Sequence, residues 1–220
     1  MKNSFVIAID GTAASGKGTL ARALAKDLGF AWLDTGRLYR YVGYALILAG
    51  EDPADERLAV DAANALKMNL RPEDLQNQAL ASDEAGSAAS VVAAIPGVRA
   101  ALLEFQRGFA ASPPDGAKGA VLDGRDIGTV VCPDADLKFY VDADPAIRAE
   151  RRRKELHSKG ISVTYDAVLA DMQTRDQRDA SRATAPMKPA DDAVMLDTSE
   201  LTADETLRQA RAVVRQRLEI

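Results

Sequence analysis

The sequence predicts an α/β fold, a five-stranded parallel sheet covered on both faces by helices. Three observations predict it. Short apolar runs alternate with amphipathic segments at both ends of the chain. The first run passes through a glycine-rich loop straight into a helical pattern, VIAIDGTAASGKGT over Val6–Thr19. The chain has 220 residues, 47% hydrophobic and 28% charged, enough for one sizeable core carrying inserts.

Each element has a local reason. Ser4–Asp10 reads as a buried strand. Lys17–Leu28 is a helix, with Leu20, Leu24 and Leu28 on one face and Gly29 as its stop. Phe30–Thr35 is a second short strand, and Arg37–Ala49 a second helix ended by Gly50. Its apolar tract Tyr41–Ala49 is too short to span a bilayer and reads as part of a buried helix. Glu51–Gln78, with Pro53 and Pro72, is expected to be surface helix and loop. Ser90–Phe109 is helical with a break at Pro96–Gly97, and Ser112–Gly119 is a turn-rich linker. Ala120–Asp123 and Leu137–Val141 are the third and fourth strands. Asp144–Pro145 is an N-cap followed by proline at the first helical position. The helix it opens carries Arg148, Arg151, Arg152 and Arg153, and Tyr165–Arg182 is helical again. Ala193–Leu196 is the fifth strand. Thr202 and Glu205 form a capping box for a last helix with Leu207, Ala210, Val214 and Leu218 on its core face.

Composition excludes several functions. The net charge of −5 argues against general nucleic-acid or membrane-surface binding, so any basic site is local. Cys132 is the single cysteine and suits a reducing cytoplasm. His157 is the single histidine, so a zinc site or a Ser–His–Asp triad would depend on it, and nothing around it supports either. Cys132 reads as a small core residue and His157 as an exposed one. The first strand begins within a few residues of Met1, which leaves no room for a signal peptide.

The chemistry starts at the first loop. Gly11, four residues, then Gly16, Lys17, Gly18 and Thr19 have the spacing of a P-loop in its strand–loop–helix context. Such a loop aims main-chain N–H groups into one hollow. The helix start adds partial positive charge and Lys17 a full one, so the hollow binds phosphate. The expected nucleotide-phosphate site is Gly11, Thr12, Ala13, Ala14, Ser15, Gly16, Lys17, Gly18 and Thr19. Gly18 stands where a standard P-loop has its Mg²⁺-binding hydroxyl. This implies Mg²⁺ held by ATP oxygens and waters, not by a direct protein ligand. The form G-x4-GKGT resembles the nucleoside monophosphate kinases.

Ligands of such sheets lie at the carboxyl ends of the strands. There the chain places DTGRLYR after the second strand and DGRDIGT after the third, and RDQRDASR comes late in the sequence. Two phosphorylated substrates bring about six negative charges together, and guanidinium forks offset their repulsion.

These motifs, with Ser90 and Arg99 in SVVAAIPGVR, resemble those of bacterial cytidylate kinases in order and separation, from Asp10 to the last helix. The resemblance implies a P-loop three-layer sandwich, with core 1–35 and 113–220, an acceptor-binding insert 36–112 and a lid within about 151–165. It implies ATP-dependent phosphorylation of CMP and dCMP. Arg40, Arg125 and Arg182 match the residues that hold the acceptor phosphate, and with Lys17 they are the expected catalytic set. Arg175 and Asp179 match the ribose contacts; Ser90, Arg99 and Asp126 match the residues facing cytosine. Thr35 stands where the family often has serine, and Tyr39 lines the same pocket. Arg151 and Arg152 are the expected lid contacts to ATP. A carboxylate such as Asp126 accepts from the cytosine amino group and repels the uracil carbonyl. Asp123 is placed to orient Mg²⁺-bound water or an arginine, and Asp34 to cap its helix or touch ligand. Glu150 and Glu155, interleaved with the helix arginines, leave a solvated face open for each of Arg148, Arg151, Arg152 and Arg153. Met68–Gly86 is short and strand-poor where many members carry an antiparallel insert. The resemblance implies a cytoplasmic monomer with ATP and CMP or dCMP as partners, and neither nucleic acid nor membrane. The alternatives are a kinase for UMP, AMP or GMP, a non-catalytic nucleotide sensor, and a nucleic-acid module built on Arg151–Arg153.

Overall fold

The computed structural model describes residues 4–70 and 74–218, so Pro72 and its two neighbours in the expected loop lie outside the described residues. Five strands, β1 (Phe5–Gly11), β2 (Ala31–Asp34), β3 (Gly119–Gly124), β4 (Leu137–Asp142) and β5 (Val194–Asp197), form one parallel sheet in the order β2-β3-β1-β4-β5. β3 is buried along its whole length, β1 and β4 nearly so, as strands covered on both faces must be.

One face packs Ile7, Ile9, Val121, Phe139 and Val141 against α1 (Lys17–Leu28) and α8 (Ala203–Leu218). The other packs Val6, Ala8, Leu33 and Leu122 against Ala110 of α5 (Pro96–Ala111) and the turn Ile127–Val131. A second cluster lies off the sheet. It joins α2 (Thr35–Ala49), α3 (Glu56–Asn69), α4 (Asp83–Val92) and α5 through Leu38, Val42, Ala63, Val92, Val98 and Leu102. A third, small cluster packs Ala13 of the P-loop on α6 (Pro145–Ser158) and α7 (Tyr165–Ser181) through Ala149, Leu156, Val168 and Met172.

Local signals account for most boundaries. Gly29 turns left-handed at φ 64° and closes α1 with its N–H on Ala25 and Lys26 carbonyls. The Asp144 carboxylate caps α6 at the Ala146 N–H, with Pro145 at the first helical position. Thr202 and Glu205 exchange the reciprocal bonds of a capping box at 2.9 and 3.2 Å.

Four expectations are corrected. α2 begins at Thr35, two residues early. α4 begins at Asp83, because Ser82 caps it at the Ala85 N–H; the break falls at residues 93–95, and Pro96 opens α5. The end of α2 is not buried: Leu48 is 71% exposed. Cys132 is half-buried at the margin of a cluster. Residues 74–86 hold two short 3₁₀ turns and the start of α4, with no strand. Among the described residues no single helix is long and apolar enough to cross a membrane.

Candidate active site

The P-loop closes on itself and is braced from behind. The Thr12 carbonyl accepts from Lys17 Nζ at 3.1 Å and from Ser15 Oγ at 3.0 Å. Gly11 has φ 147°, and a Cβ there would lie 1.9 Å from the Val141 carbonyl oxygen, so only glycine lets β1 run into the loop beside β4. Thr12 Oγ1 donates to Asp142 at 2.6 Å, and Thr198 Oγ1 donates to the Ser15 carbonyl at 2.8 Å. Arg148 is 5% exposed and donates to the Ala13 and Ala143 carbonyls at 3.2 and 2.9 Å and to Asp176 at 2.5 Å. Arg148 is therefore a buried brace, not part of a solvated face.

In front of the loop lies a cavity of about 550 Å³, the size of a small-molecule site. Ala13, Ala14, Gly16, Lys17, Gly18 and Thr19 of the P-loop form part of its wall, and Arg40, Arg125, Arg152 and Arg175 line it as well. Gly11, Thr12 and Ser15 lie behind the wall, buried. The electrostatics are those of an anion site. Burial and the adjacent Arg125 pull the Lys17 ammonium down to about 7. Burial and then Arg125 pull Arg175 down to about 10, and burial lowers Arg40. Each of these cations lacks enough counter-charge. Asp123, raised to about 7 by burial and the neighbouring Asp34, accepts from Trp32 Nε1 at 2.8 Å and turns Oδ2 toward Gly18. Asp34 stands at the N-cap of α2 without capping it and pairs with Arg37 at 3.6 Å.

A smaller cavity opens beside it, lined by Thr35, Tyr39, Ser90, Arg99, Arg125, Asp126, Arg175, Asp179 and Arg182. Its charges are paired with one another, except Arg175, whose buried Nε has no hydrogen-bond partner among the described residues. Asp126 bonds Arg99 and, at 3.0 Å, Arg182; burial raises the Asp126 carboxyl and both arginines oppose the rise. Asp179 accepts from Ser90 Oγ and Arg125 Nε, each at 3.1 Å. The Arg99 guanidinium lies 5.6 Å from the Tyr39 ring centroid. Thr35 Oγ1 donates to the Asp123 carbonyl at 2.8 Å. Arg40 donates to the Leu80 and Ser82 carbonyls at 2.8 Å each.

All ten residues expected at the acceptor nucleotide thus line one or other cavity. Of the two lid arginines, Arg152 lines the larger cavity and pairs with Asp83 and, at 2.7 Å, Glu155. Arg151 is turned away. It donates to Thr198 O at 2.6 Å and Thr198 Oγ1 at 3.1 Å, because α6 presents that side to the segment after β5. Arg153 pairs with Glu150 on the exposed face, and His157 is exposed with Nε2 3.2 Å from the Val163 carbonyl. Arg148, Asp142 and Thr198 are brace residues the sequence reading did not find; only the spacing Arg148–Arg151–Arg152, i, i+3, i+4 on one helix face, hinted at a shared inner surface.

Comparison with known proteins agrees with this geometry. The family model described as cytidylate kinase matches residues 7–216. A cytidylate kinase of Paramagnetospirillum magneticum is 60% identical over 211 residues, covering 96% of this chain and 98% of the relative. One of Bradyrhizobium sp. is 54% identical over 209 residues, covering 95% of each. Among solved structures, an uncharacterized protein from Eubacterium ventriosum superimposes with TM-score 0.55 at 12% identity, over 96% of this chain and 98% of that one. A sugar kinase from Janibacter sp. gives TM-score 0.50 at 12% identity, over 96% and 94%; both show a shared fold alone. A family model matched over nearly the full length and relatives at 54–60% identity mean that the chain belongs to the cytidylate kinase family of phosphotransferases.

Proposed function

We infer that the chain transfers the γ-phosphoryl group of ATP to CMP and dCMP. The observation that carries this is one cavity lined both by the P-loop with Lys17 and by Arg40, Arg125 and Arg175. An acceptor phosphate oxygen attacks the γ-phosphorus, a new P–O bond forms in line, and the bond to ADP breaks with its electrons leaving on the β-phosphate oxygen. No strong general base is needed, because the acceptor is already an anion.

The residues divide by reach. Lys17 and the loop amides hold the donor phosphates. Arg40, Arg125 and Arg182 hold the acceptor phosphate, Arg175 and Asp179 the ribose, and Ser90, Arg99 and Asp126 the cytosine edge. For the base to reach Asp126, Arg99 and Arg182 must share that carboxylate with the cytosine amino group. Arg152, once released from Asp83, reaches the transferring group. Mg²⁺ bound with ATP would offset the charge of the phosphates. Asp123 Oδ2, turned toward Gly18, and Thr19 on the cavity wall would lie beside such an ion. Residues 36–112 act as the acceptor lobe and 151–165 as the lid. The enzyme works as a cytoplasmic monomer on soluble nucleotides.

Initial rates with ATP and Mg²⁺ on CMP, dCMP, UMP, AMP and GMP test the reading. ADP is expected to accumulate quickly with CMP or dCMP only. Equal or faster turnover of AMP would remove the cytosine assignment, and ADP release independent of any acceptor would remove the kinase.

A further inference from the structure

We propose that Asp10 is a positioning residue for the acceptor side of the reaction, holding Arg125 and Asp126 in place through the main chain that follows them. The inference rests on the assignment of those two side chains to CMP.

Asp10 is the penultimate residue of β1 and is 3% exposed. Its main chain is paired in register with Gly124, the last residue of β3. The chain then carries Arg125 and Asp126 outward and returns. On the return, the N–H groups of Ile127 and Gly128 both donate to Asp10, to Oδ1 and Oδ2, at 2.7 Å each. The two-residue loop bearing the acceptor side chains is therefore fixed at both ends on one residue, by backbone register before it and by a carboxylate after it.

The chemistry of the return explains why a carboxylate is there. Residues 127–131 form a π-helical turn, with Val131 N–H on the Asp126 carbonyl and Cys132 N–H on that of Ile127. The first N–H groups of any helical turn have no partner within it, and a buried one left unmatched is costly. A bidentate carboxylate satisfies both with charge-assisted bonds. An asparagine accepts from only one and points its amide at the other. The arrangement carries a cost, since burial holds the Asp10 carboxyl up at about 6 against the two amide bonds that lower it. The other charged or titratable groups facing Asp10 are Asp126 and Arg125 from the loop it holds and Tyr140 from β4; the Lys138 stem packs beside Gly128. Space is tight as well: a Cβ on Gly128 would lie 3.1 Å from Lys138 Cδ and 3.4 Å from Asp10 Oδ2.

Because Asp10 also precedes Gly11, its loss could act on either substrate, and the two Michaelis constants tell them apart. Asp10→Asn is expected to raise KM for CMP about tenfold or more while KM for ATP moves less than about twofold, since each tenfold step corresponds to about 1.4 kcal/mol. The ratio of variant to wild-type KM for CMP is expected to be largest near pH 8 and to shrink toward one below about pH 6, where wild-type Asp10 is itself protonated. Titration of the CMP phosphate cancels in that ratio. Gly128→Ala, which keeps Asp10 but displaces the turn, is expected to show the same split at about threefold, and it stands in if Asp10→Asn does not fold. Equal rises in both constants, or a lowered melting temperature with neither constant changed, would overturn the proposal. A wild-type enzyme that ignored CMP would instead overturn the functional reading beneath it.

Discussion

Asp126→Asn is the perturbation that probes the acceptor site most directly. The wild-type carboxylate sits between Arg99 and Arg182, whose side chains are 7% and 5% exposed, as is its own at 7%. Asparagine has the same shape, keeps one acceptor oxygen and turns the other into a donor facing a guanidinium. Taking one partner from a buried ion pair costs about 3–5 kcal/mol. The retained acceptor puts the expected loss at the lower end, about 3 kcal/mol. For a chain of this length that lowers the melting temperature by about 6–12 °C. The same change removes the rule against uracil, because an amide can accept from the cytosine amino group or donate to the uracil carbonyl. The ratio of kcat/KM for CMP over UMP is expected to fall at least about 100-fold, about 2.7 kcal/mol of transition-state discrimination. Thermal denaturation and steady-state kinetics on both nucleotides measure the two effects. A melting temperature within about 2 °C of wild type, together with an unchanged CMP to UMP ratio, would refute the reasoning.

Three further outcomes follow from the charges around the P-loop. Lys17→Ala is expected to lower kcat about 10³-fold or more, while circular dichroism and urea denaturation show under about 1 kcal/mol of destabilisation, because the ammonium is already strained by burial and Arg125; near-normal turnover would refute its placement on the donor phosphates. Asp123 is raised from 3.8 to about 7, so between those values the folded protein retains a proton the unfolded chain has lost, and ionisation removes stability as pH rises through that window. Asp123→Asn keeps the acceptor for Trp32, so its stability relative to wild type is expected to climb from about pH 4 to about pH 7 in urea titrations; a flat difference would contradict this. Asp83 is 46% exposed, so Asp83→Ala is expected to cost about 1 kcal/mol or less and, by releasing Arg152, to lower KM for ATP about twofold; a raised KM would show that the pairing with Asp83 aids ATP binding.

Much of this site is legible in the sequence because it is written in local chemistry. A glycine-rich turn between strand and helix, a capping aspartate before Pro145 and a capping box at Thr202 each act over a few residues, and each stands where expected. That Arg40, Arg125 and Arg182 line the cavities follows motif resemblance, not periodicity. What the sequence conceals is long-range satisfaction of polar groups. Arg148 is indistinguishable by pattern from its half-buried neighbour Arg153, since only the third dimension puts the Ala13 carbonyl and Asp176 before it, whereas the Glu150 partner of Arg153 lies three residues away on the same helix. The same holds for Asp142 and Thr198 behind the P-loop, whose partners lie 130 and 183 residues away. The length of α4 was misread for a simpler reason: Ser82 supplies a cap that the alanine-rich run after it needs no amphipathic pattern to follow.

The in-register pairing of β1 with β3, Ile9 beside Asp123 and Asp10 beside Gly124, has a practical consequence. The spacing between the donor loop and the acceptor arginine Arg125 is set by adjacent ladder hydrogen bonds, the stiffest connection a backbone offers. Ser90, in the proposed base pocket, stands instead on α4, whose buried residues pack in the cluster off the sheet. A change at Ser90 can therefore alter the pocket without touching the β1–β3 register, whereas a change at Asp126 acts next to Arg125 on the loop that register holds.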